Sequence, residues 1–469
     1  MIIKEFVEKI KRKEIDIVEH THKTIDESKK INKEYNYFNT ISDTQALMLA
    51  EKLKQNSQGK LCGVPIAIKD SIVVKDVEST AGSRILKGYM PLFNATPVQN
   101  AVDEGAIIIG KTSQDEFGFG AFSTNAGLGF KVPKNPFDKK RATGGSSGGS
   151  AGIAQKLSFV LSYGESTGGS IVNPACFCGV YGLCPTYGRV SRYGLIDYGN
   201  SLDKVGPMSR NIQDIAFGLE IMSGYDKKDS TSLNSPVDDY SSYINKGAKG
   251  LKIGVIKEAF GKGVQKDVED GVWDGVKRLE DEGAKYEEVS LPLALKYGVS
   301  VYYILATSEA STNLAKYCGM RYGKEDKLTG NFNEYFTKVR SENFGNEAKR
   351  RIILGTFARM AGYRDAYYLK AASVRTKIIE EYKKAFKKFD VLVSPTVPYI
   401  APTFDEIKKL TPLQNYMADI MTVGPNLAGL PHMNVPIGMA SKLPLGMLVI
   451  GDHLQEGKII QAGAVFNEK

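Results

Sequence analysis

Two apolar runs, Leu61-Cys-Gly-Val-Pro-Ile-Ala-Ile68 and Ala106-Ile-Ile-Ile109, are bounded by glycine and too short for buried helices. They read as strands covered on both faces, which commits the chain to a sheet with helices packed against it. The texture recurs over 157–164, 180–183, Asp390–Ser394 and Leu445–Ile450. Leu251–Ile256, a helical pattern over 268–282 and Lys285–Ser290 together predict a strand–helix–strand unit. Further helices are expected over 302–317, 347–360 and 364–388. Residues 1–55 should hold two or three more, because Ile2, Phe6, Val7 and Ile10, and then Ala46, Leu49, Ala50 and Leu53, recur at helical spacing. Strands alternating with helices predict an α/β fold with a large mixed or parallel sheet. The chain has no internal repeat and no low-complexity tail.

With 469 residues, 42% of them hydrophobic and 25% charged, the chain can bury a large core. The net charge of +9 would suit an acidic partner, but the charges are spread along the sequence. Short runs such as Lys139-Lys140-Arg141 read as solvated faces. The opening MIIKEFVEKIKRKEID mixes acids with bases and predicts an amphipathic surface helix rather than a targeting segment. No apolar run approaches the roughly 20 residues of a membrane helix. Five cysteines, an odd number in a long chain, argue against a disulfide framework and for a reducing, cytoplasmic setting. Cys176, Cys178 and Cys184 lie close in sequence, but none of the four histidines is near them, so no metal is expected. His20 and His22 are expected to be solvated.

Residues 118–152 are rich in Gly, Ser, Asn and Pro, and two clusters stand out: RATGGSSGGSAG at 141–152 and YGESTGGSIVNP at 163–174. Both lie mid-chain between strands, a poor place for a linker. Gly105–Thr112 matches GxxxxGK[ST], but its middle positions are Ala-Ile-Ile-Ile, which form a strand rather than a phosphate loop. Gly144-Gly-Ser146-Ser-Gly148 matches the GxSxG elbow, with His432 and His453 downstream. The strand that an elbow requires is missing, because Asn135–Thr143 has loop chemistry. The two histidines read more simply as surface or supporting residues.

Lys69, in Gly63-Val-Pro-Ile-Ala-Ile-Lys69-Asp70, ends a strand that should be buried. Neighbouring side chains on a strand face opposite ways, so Asp70 does not neutralise it. An unpaired buried lysine sheds its proton readily and is then a competent base. The residues alone leave open a second reading, in which Lys69 reaches to water.

Taken together, Lys69, Ser146 in GGSSGGSAG, and Ser170 in STGGSIVNPACFCGVYGLCPT, 24 residues beyond Ser146, resemble the amidase-signature family. Its signature spans roughly 61–210. Within the family the chain is similar to the A subunits of tRNA-dependent amidotransferases. The stretches that narrow it are Pro185–Gly194, Asn200–Pro207, Asp229–Ser232, Ser308–Ser311, Arg321–Gly323, Lys349–Thr356 and Asn426–Pro431.

The resemblance implies one amidase-signature unit over 1–469, with a large mixed central sheet flanked by helices on both faces. Residues 1–60 would be an N-terminal helical segment and 61–210 the signature core. Residues 211–390 would be an α/β and helical insertion, and 391–469 the returning part of the core sheet. It implies Ser170 as nucleophile, Ser146 as a bridging serine in a cis peptide, and Lys69 as base. Thr167, Gly168 and Gly169 would form the oxyanion hole, and Tyr302, Arg351 and Asp419 the glutamine contacts. Glutamine would be hydrolysed to supply ammonia for converting glutamyl-tRNA(Gln) to glutaminyl-tRNA(Gln). No cofactor is expected in this chain. ATP and Mg²⁺ would belong to a tRNA-binding B subunit, and a small C subunit would complete the complex. A free-standing amidase and a silent scaffold subunit are the alternatives. Two positions depart from the family pattern: Ser166 and Val172 stand where an aspartate and an arginine are usual.

Overall fold

The computed structural model describes residues 2–467. Its strands are β1 (Phe38–Ile41), β2 (Pro65–Lys69), β3 (Ile107–Thr112), β4 (Leu161–Ser166), β5 (Tyr181–Cys184), β6 (Lys204–Ser209), β7 (Lys252–Ile256), β8 (Lys285–Val289), β9 (Val391–Pro395), β10 (His432–Ala440) and β11 (Leu443–Gly451). They form one mixed sheet in the order β1-β3-β2-β4-β6-β5-β10-β11-β9-β7-β8. The two apolar runs are β2 and β3, fully buried and parallel, with Ile66 opposite Ile108. β4 lies parallel on the other side of β2, with Ile68 opposite Tyr163. At the far end β7, the helix Lys266–Asp281 and β8 make the expected crossover, with β7 and β8 parallel.

The N-terminal helix Ile3–Lys11 buries Ile3, Phe6, Val7 and Ile10, so its apolar stripe docks on the core while its charges face water. His20 is not solvated as expected. Its ring packs 4.7 Å from Phe6, and burial pulls its pKa down to about 4. The helix expected over 302–317 starts earlier, at Pro292, where the fixed φ of proline suits a first helical turn. Three strands went unanticipated: β1, β6 and β10. β6 reads Lys-Val-Gly-Pro-Met-Ser, and β10 follows Pro431 and is interrupted by Pro436, so neither has clean alternation. Also unanticipated are the helices Gly148–Lys156 and Val172–Cys178, whose sequences are dominated by small residues and proline.

The GxxxxGK[ST] match is β3 itself. Its Lys111 is buried, donates to Ser79 (2.6 Å) and sits 3.6 Å from Asp70. Among the described residues no helix is long and apolar enough to cross a membrane.

Candidate active site

The end of β2 delivers Lys69 into the interior, and the loop before the helix Gly148–Lys156 delivers Ser146. Lys69 Nζ donates to Ser146 Oγ at 2.6 Å, and both residues are wholly buried. The Gly145–Ser146 peptide bond is cis. Ser147 N–H donates to the Ser170 carbonyl (3.2 Å), tying the residue after Ser146 to the turn that carries Ser170. Ser170 is 7% exposed, and its hydroxyl bonds to no other described residue. One buried cation, a serine in contact with it and an uncommitted serine are thus gathered where β2 and β4 end.

Lys69 is not unpaired, contrary to the sequence reading. Glu165 Oε2 lies 2.8 Å from Nζ, and the Glu165 carbonyl accepts a further bond at 2.9 Å. The partner is 96 residues away in sequence and becomes a neighbour only because β4 pairs with β2. Asp70 does face away. It accepts bonds from Asn39, Thr80 and the Gly82 N–H.

β4 runs straight into the turn Thr167–Ser170. Among the described residues none accepts a hydrogen bond from the N–H of Gly168, Gly169 or Ser170, so these donors are free for an anionic oxygen. Both glycines are required. A Cβ on Gly168 would meet the Tyr302 ring, and one on Gly169 would meet Asn173 and Thr422. The Gly168 carbonyl is held by the Ser166 hydroxyl (3.3 Å) and by the Asn426 amide. Ser166 therefore fills its unusual position with a local hydrogen bond. Val172 opens the helix Val172–Cys178 as a buried apolar residue, so neither departure leaves an unmatched charge.

The remaining candidate residues form an aromatic wall beside this turn. Arg351 is 2% exposed and donates to Glu347 (2.8 Å) and to the Tyr198 hydroxyl. Phe119, Tyr198, Tyr303 and Tyr416 surround its guanidinium at 5.0–5.5 Å. Arg350 pairs with the same Glu347 but is largely exposed. Tyr302 packs edge-on to Tyr303 at 4.9 Å and to Tyr198 at 6.5 Å. Asp419 accepts bonds from Asn173 (2.7 Å) and the Tyr303 hydroxyl (3.0 Å), and burial pushes its pKa up to about 6. A cavity of about 240 Å³ opens along Asn125, Tyr303, Glu347, Arg350, Arg351 and Tyr416.

Several residues of the site escaped the sequence reading. Besides Glu165, Asp115 braces the Ser146 loop. Its carboxylate accepts from the Ser123 and Asn125 N–H groups, its own N–H donates to the Ser146 carbonyl, and burial raises its pKa to about 6. Asp203 lies inside a recognised stretch, Asn200–Pro207, but nothing in that stretch marks it as facing the site. His432, one half of the rejected elbow, is buried. It lies 3.4 Å from the Asn426 amide that holds Gly168, and burial keeps it well below its usual pKa. It supports the site without reaching it. His453 is partly exposed and bonds the Ala428 carbonyl.

A buried lysine bonded to a serine, beside a glycine turn that carries a second serine, marks an amidase, and the comparisons agree. The Amidase family model matches residues 19–460, so the chain belongs to that family. Within it the chain belongs with the A subunits of glutamyl-tRNA(Gln) amidotransferase. The one from Thermoanaerobacter pseudethanolicus is 42% identical over 472 residues, covering 100% of this chain and 96% of that protein. The one from Carboxydothermus hydrogenoformans is 44% identical over 470 residues, covering 99% and 96%. The crystal structure of the subunit from Thermotoga maritima superposes with a TM-score of 0.81 at 35% identity, covering 98% of this chain and 93% of that one.

Proposed function

We propose that this chain is the glutaminase subunit of a tRNA-dependent amidotransferase. It would hydrolyse the side-chain amide of glutamine and release ammonia for the conversion of glutamyl-tRNA(Gln) to glutaminyl-tRNA(Gln). The observation that carries the reading is the 2.6 Å contact between Lys69 Nζ and Ser146 Oγ in a fully buried setting.

A serine hydroxyl is a weak nucleophile until its proton is removed. Lys69 as the free amine takes the Ser146 proton, and Ser146 takes that of Ser170, since a hydroxyl both donates and accepts. Ser170 Oγ attacks the glutamine side-chain carbonyl, and the oxyanion is met by the N–H groups of the turn Thr167-Gly168-Gly169, with that of Ser170 beside them. Lys69, now an ammonium, returns its proton through Ser146 to the departing ammonia. Water then hydrolyses the glutamyl ester on Ser170. Arg351 meets the α-carboxylate, Asp419 the α-ammonium, and Tyr302 packs against the substrate beside Gly168.

The partner subunits follow from the same reading. A B subunit that binds tRNA would activate it with ATP and Mg²⁺, and a small C subunit would complete the complex. In support, the helix Asn346–Arg359 leaves Ile353, Leu354 and Phe357 exposed, next to exposed Met360 and Tyr363. A patch of that kind marks a contact surface.

The test is co-purification with B and C subunits of the amidotransferase, followed by ammonia release from glutamine with and without glutamyl-tRNA and ATP. Release that is lost in Lys69→Ala, with a glutamyl adduct trapped on Ser170, supports the reading. Hydrolysis of unrelated amides without glutamine turnover would instead indicate a free-standing amidase. No hydrolysis by the assembled wild type would indicate a scaffold.

A further inference from the structure

Thr167 Oγ1 lies 2.9 Å from Glu165 Oε1 and 2.7 Å from Asp203 Oδ1. All three residues are at least 98% buried. A threonine hydroxyl has one hydrogen to donate. If both carboxyls were ionised, one of the two contacts would set lone pair against lone pair in a buried setting. A second hydrogen must therefore sit in the chain, on one of the carboxyls. The other oxygen of Glu165 faces Lys69 Nζ at 2.8 Å.

We propose that Glu165, Thr167 and Asp203 share one proton, and that its position sets the charge Glu165 presents to Lys69. In one arrangement Glu165 Oε1–H donates to Thr167, and Thr167 donates to Asp203. Glu165 is then neutral, and Lys69 as a free amine has no counter-ion to hold it charged. In the other arrangement Asp203 Oδ1–H donates to Thr167, and Thr167 donates to Glu165. Glu165 is then a carboxylate facing an ammonium.

This deepens the glutaminase reading and rests on it for its use. When Lys69 takes a proton from Ser146, the Glu165 O–H bond breaks as Thr167 accepts that hydrogen, and Thr167 passes its own hydrogen to Asp203. Glu165 ends one proton poorer and Asp203 one richer, and Thr167 is again a hydroxyl. The return step reverses both transfers when the proton leaves for ammonia. Glu165 is thus a positioning residue that would supply the counter-charge only while Lys69 carries one.

The surroundings suit both arrangements. The Asp203 carboxylate is steadied by the Tyr198 and Gly199 N–H groups when ionised. Burial, followed by the negative charge of Glu165 and a contribution from Asp197, holds Asp203 well above the ordinary aspartate range. The other titratable groups that feel this cluster are Lys69 on β2, Cys184 on β5, Tyr187 in the loop after β5 and, through Lys69, Asp115 after β3.

Isotope-edited infrared spectroscopy of the full-length chain tests it without substrate. At a pH well above 7, where Asp115, Glu116 and Asp419 are ionised, the wild type should keep a carboxylic-acid C=O band from this site. Glu165→Gln and Asp203→Asn should each abolish it. Thr167→Ser should leave the frequency of the band unchanged and Thr167→Val should shift it, because the acid then loses its hydrogen-bond partner, which keeps the test decisive if one carboxyl variant fails to fold. Absence of the band in wild type, or its survival in both carboxyl variants, overturns the shared proton. In the assembled complex each single carboxyl variant should lower kcat about tenfold or more, with the double variant no slower than the worse single. Losses that multiply would overturn the coupling. A wild type with the band but no ammonia release counts against the glutaminase reading and leaves the shared proton standing.

Discussion

Tyr302 closes over Gly168 so tightly that a Cβ on the glycine would stand 2.9 Å from both the ring Cζ and the hydroxyl oxygen. Gly168→Ala must push the ring away or twist the turn whose N–H groups face the developing oxyanion. Losing one such donor lowers turnover by about 10²–10³-fold. We expect Gly168→Ala to fall in that range for ammonia release while the circular dichroism spectrum stays that of the wild type.

Lys69→Arg separates charge from basicity. Arginine keeps a cation opposite Glu165 but does not give up its proton. Ammonia release should drop about 10²–10⁴-fold, the usual worth of a general base. Thermal unfolding should show Lys69→Arg closer to wild type than Lys69→Ala, which leaves Glu165 without its partner. Turnover retained in Lys69→Arg would show that another group removes the proton.

Asp419 gives a pH dependence whose sign is fixed. Burial raises its pKa to about 6, so below that value it is neutral and cannot pair with an α-ammonium. KM for glutamine should rise as pH falls through about 6, with kcat changing less. Asp419→Asn should have a high KM that is flat across the same range. The folded carboxyl also holds its proton to a higher pH than the unfolded one. This group therefore costs stability as pH rises from the ordinary aspartate value to about 6, and the cost persists above it. Asp419→Asn should gain in melting temperature, relative to wild type, over that window.

The two adjacent arginines should behave differently. Arg351 is enclosed by four rings, whereas Arg350 is largely exposed. Arg351→Lys loses the planar fork, and KM for glutamine should rise about tenfold or more. Arg350→Ala should change KM less than about threefold, as a screened surface pair would. Steady-state kinetics of the two variants decides it, and equal effects would move the carboxylate contact to the cavity mouth.

How much was legible follows from the range of each signal. β2, β3 and the β7–β8 crossover carry their pattern locally, as apolar runs or an amphipathic repeat, and they were read correctly. β6 and β10 are strands because of what lies beside them, and their prolines and glycines blur any period. Ser146 and Ser170 stood out because dense glycine motifs surround them, and Lys69 because it ends an apolar run. Glu165 sits in one of those motifs, yet its importance depends on β4 lying next to β2, a fact of tertiary pairing. The half-buried state of His20 likewise depends on Phe6 from another helix. Asp115 and Asp203 fold their own loops through nearby N–H groups, but what ties them to the site is remote: the Ser146 carbonyl for Asp115 and the Thr167 hydroxyl, 36 residues away, for Asp203.

The order of the strands has a consequence for how the molecule is made. β1 to β6, with both serines and Lys69, occupy one contiguous end of the sheet, and β7 to β11 the other. The two ends meet where Cys184 pairs with His432 and Gly182 with Asn434. During synthesis the first half therefore waits with one edge of β5 unclaimed, the other being paired with β6, until residue 434 has emerged. Asp419 and Asn426 arrive in the same closing stretch, so the sheet is sealed and the catalytic pocket furnished by one late event. A bare strand rim of that kind invites association between nascent chains. Truncation anywhere before β10 should yield an aggregating fragment rather than a smaller enzyme.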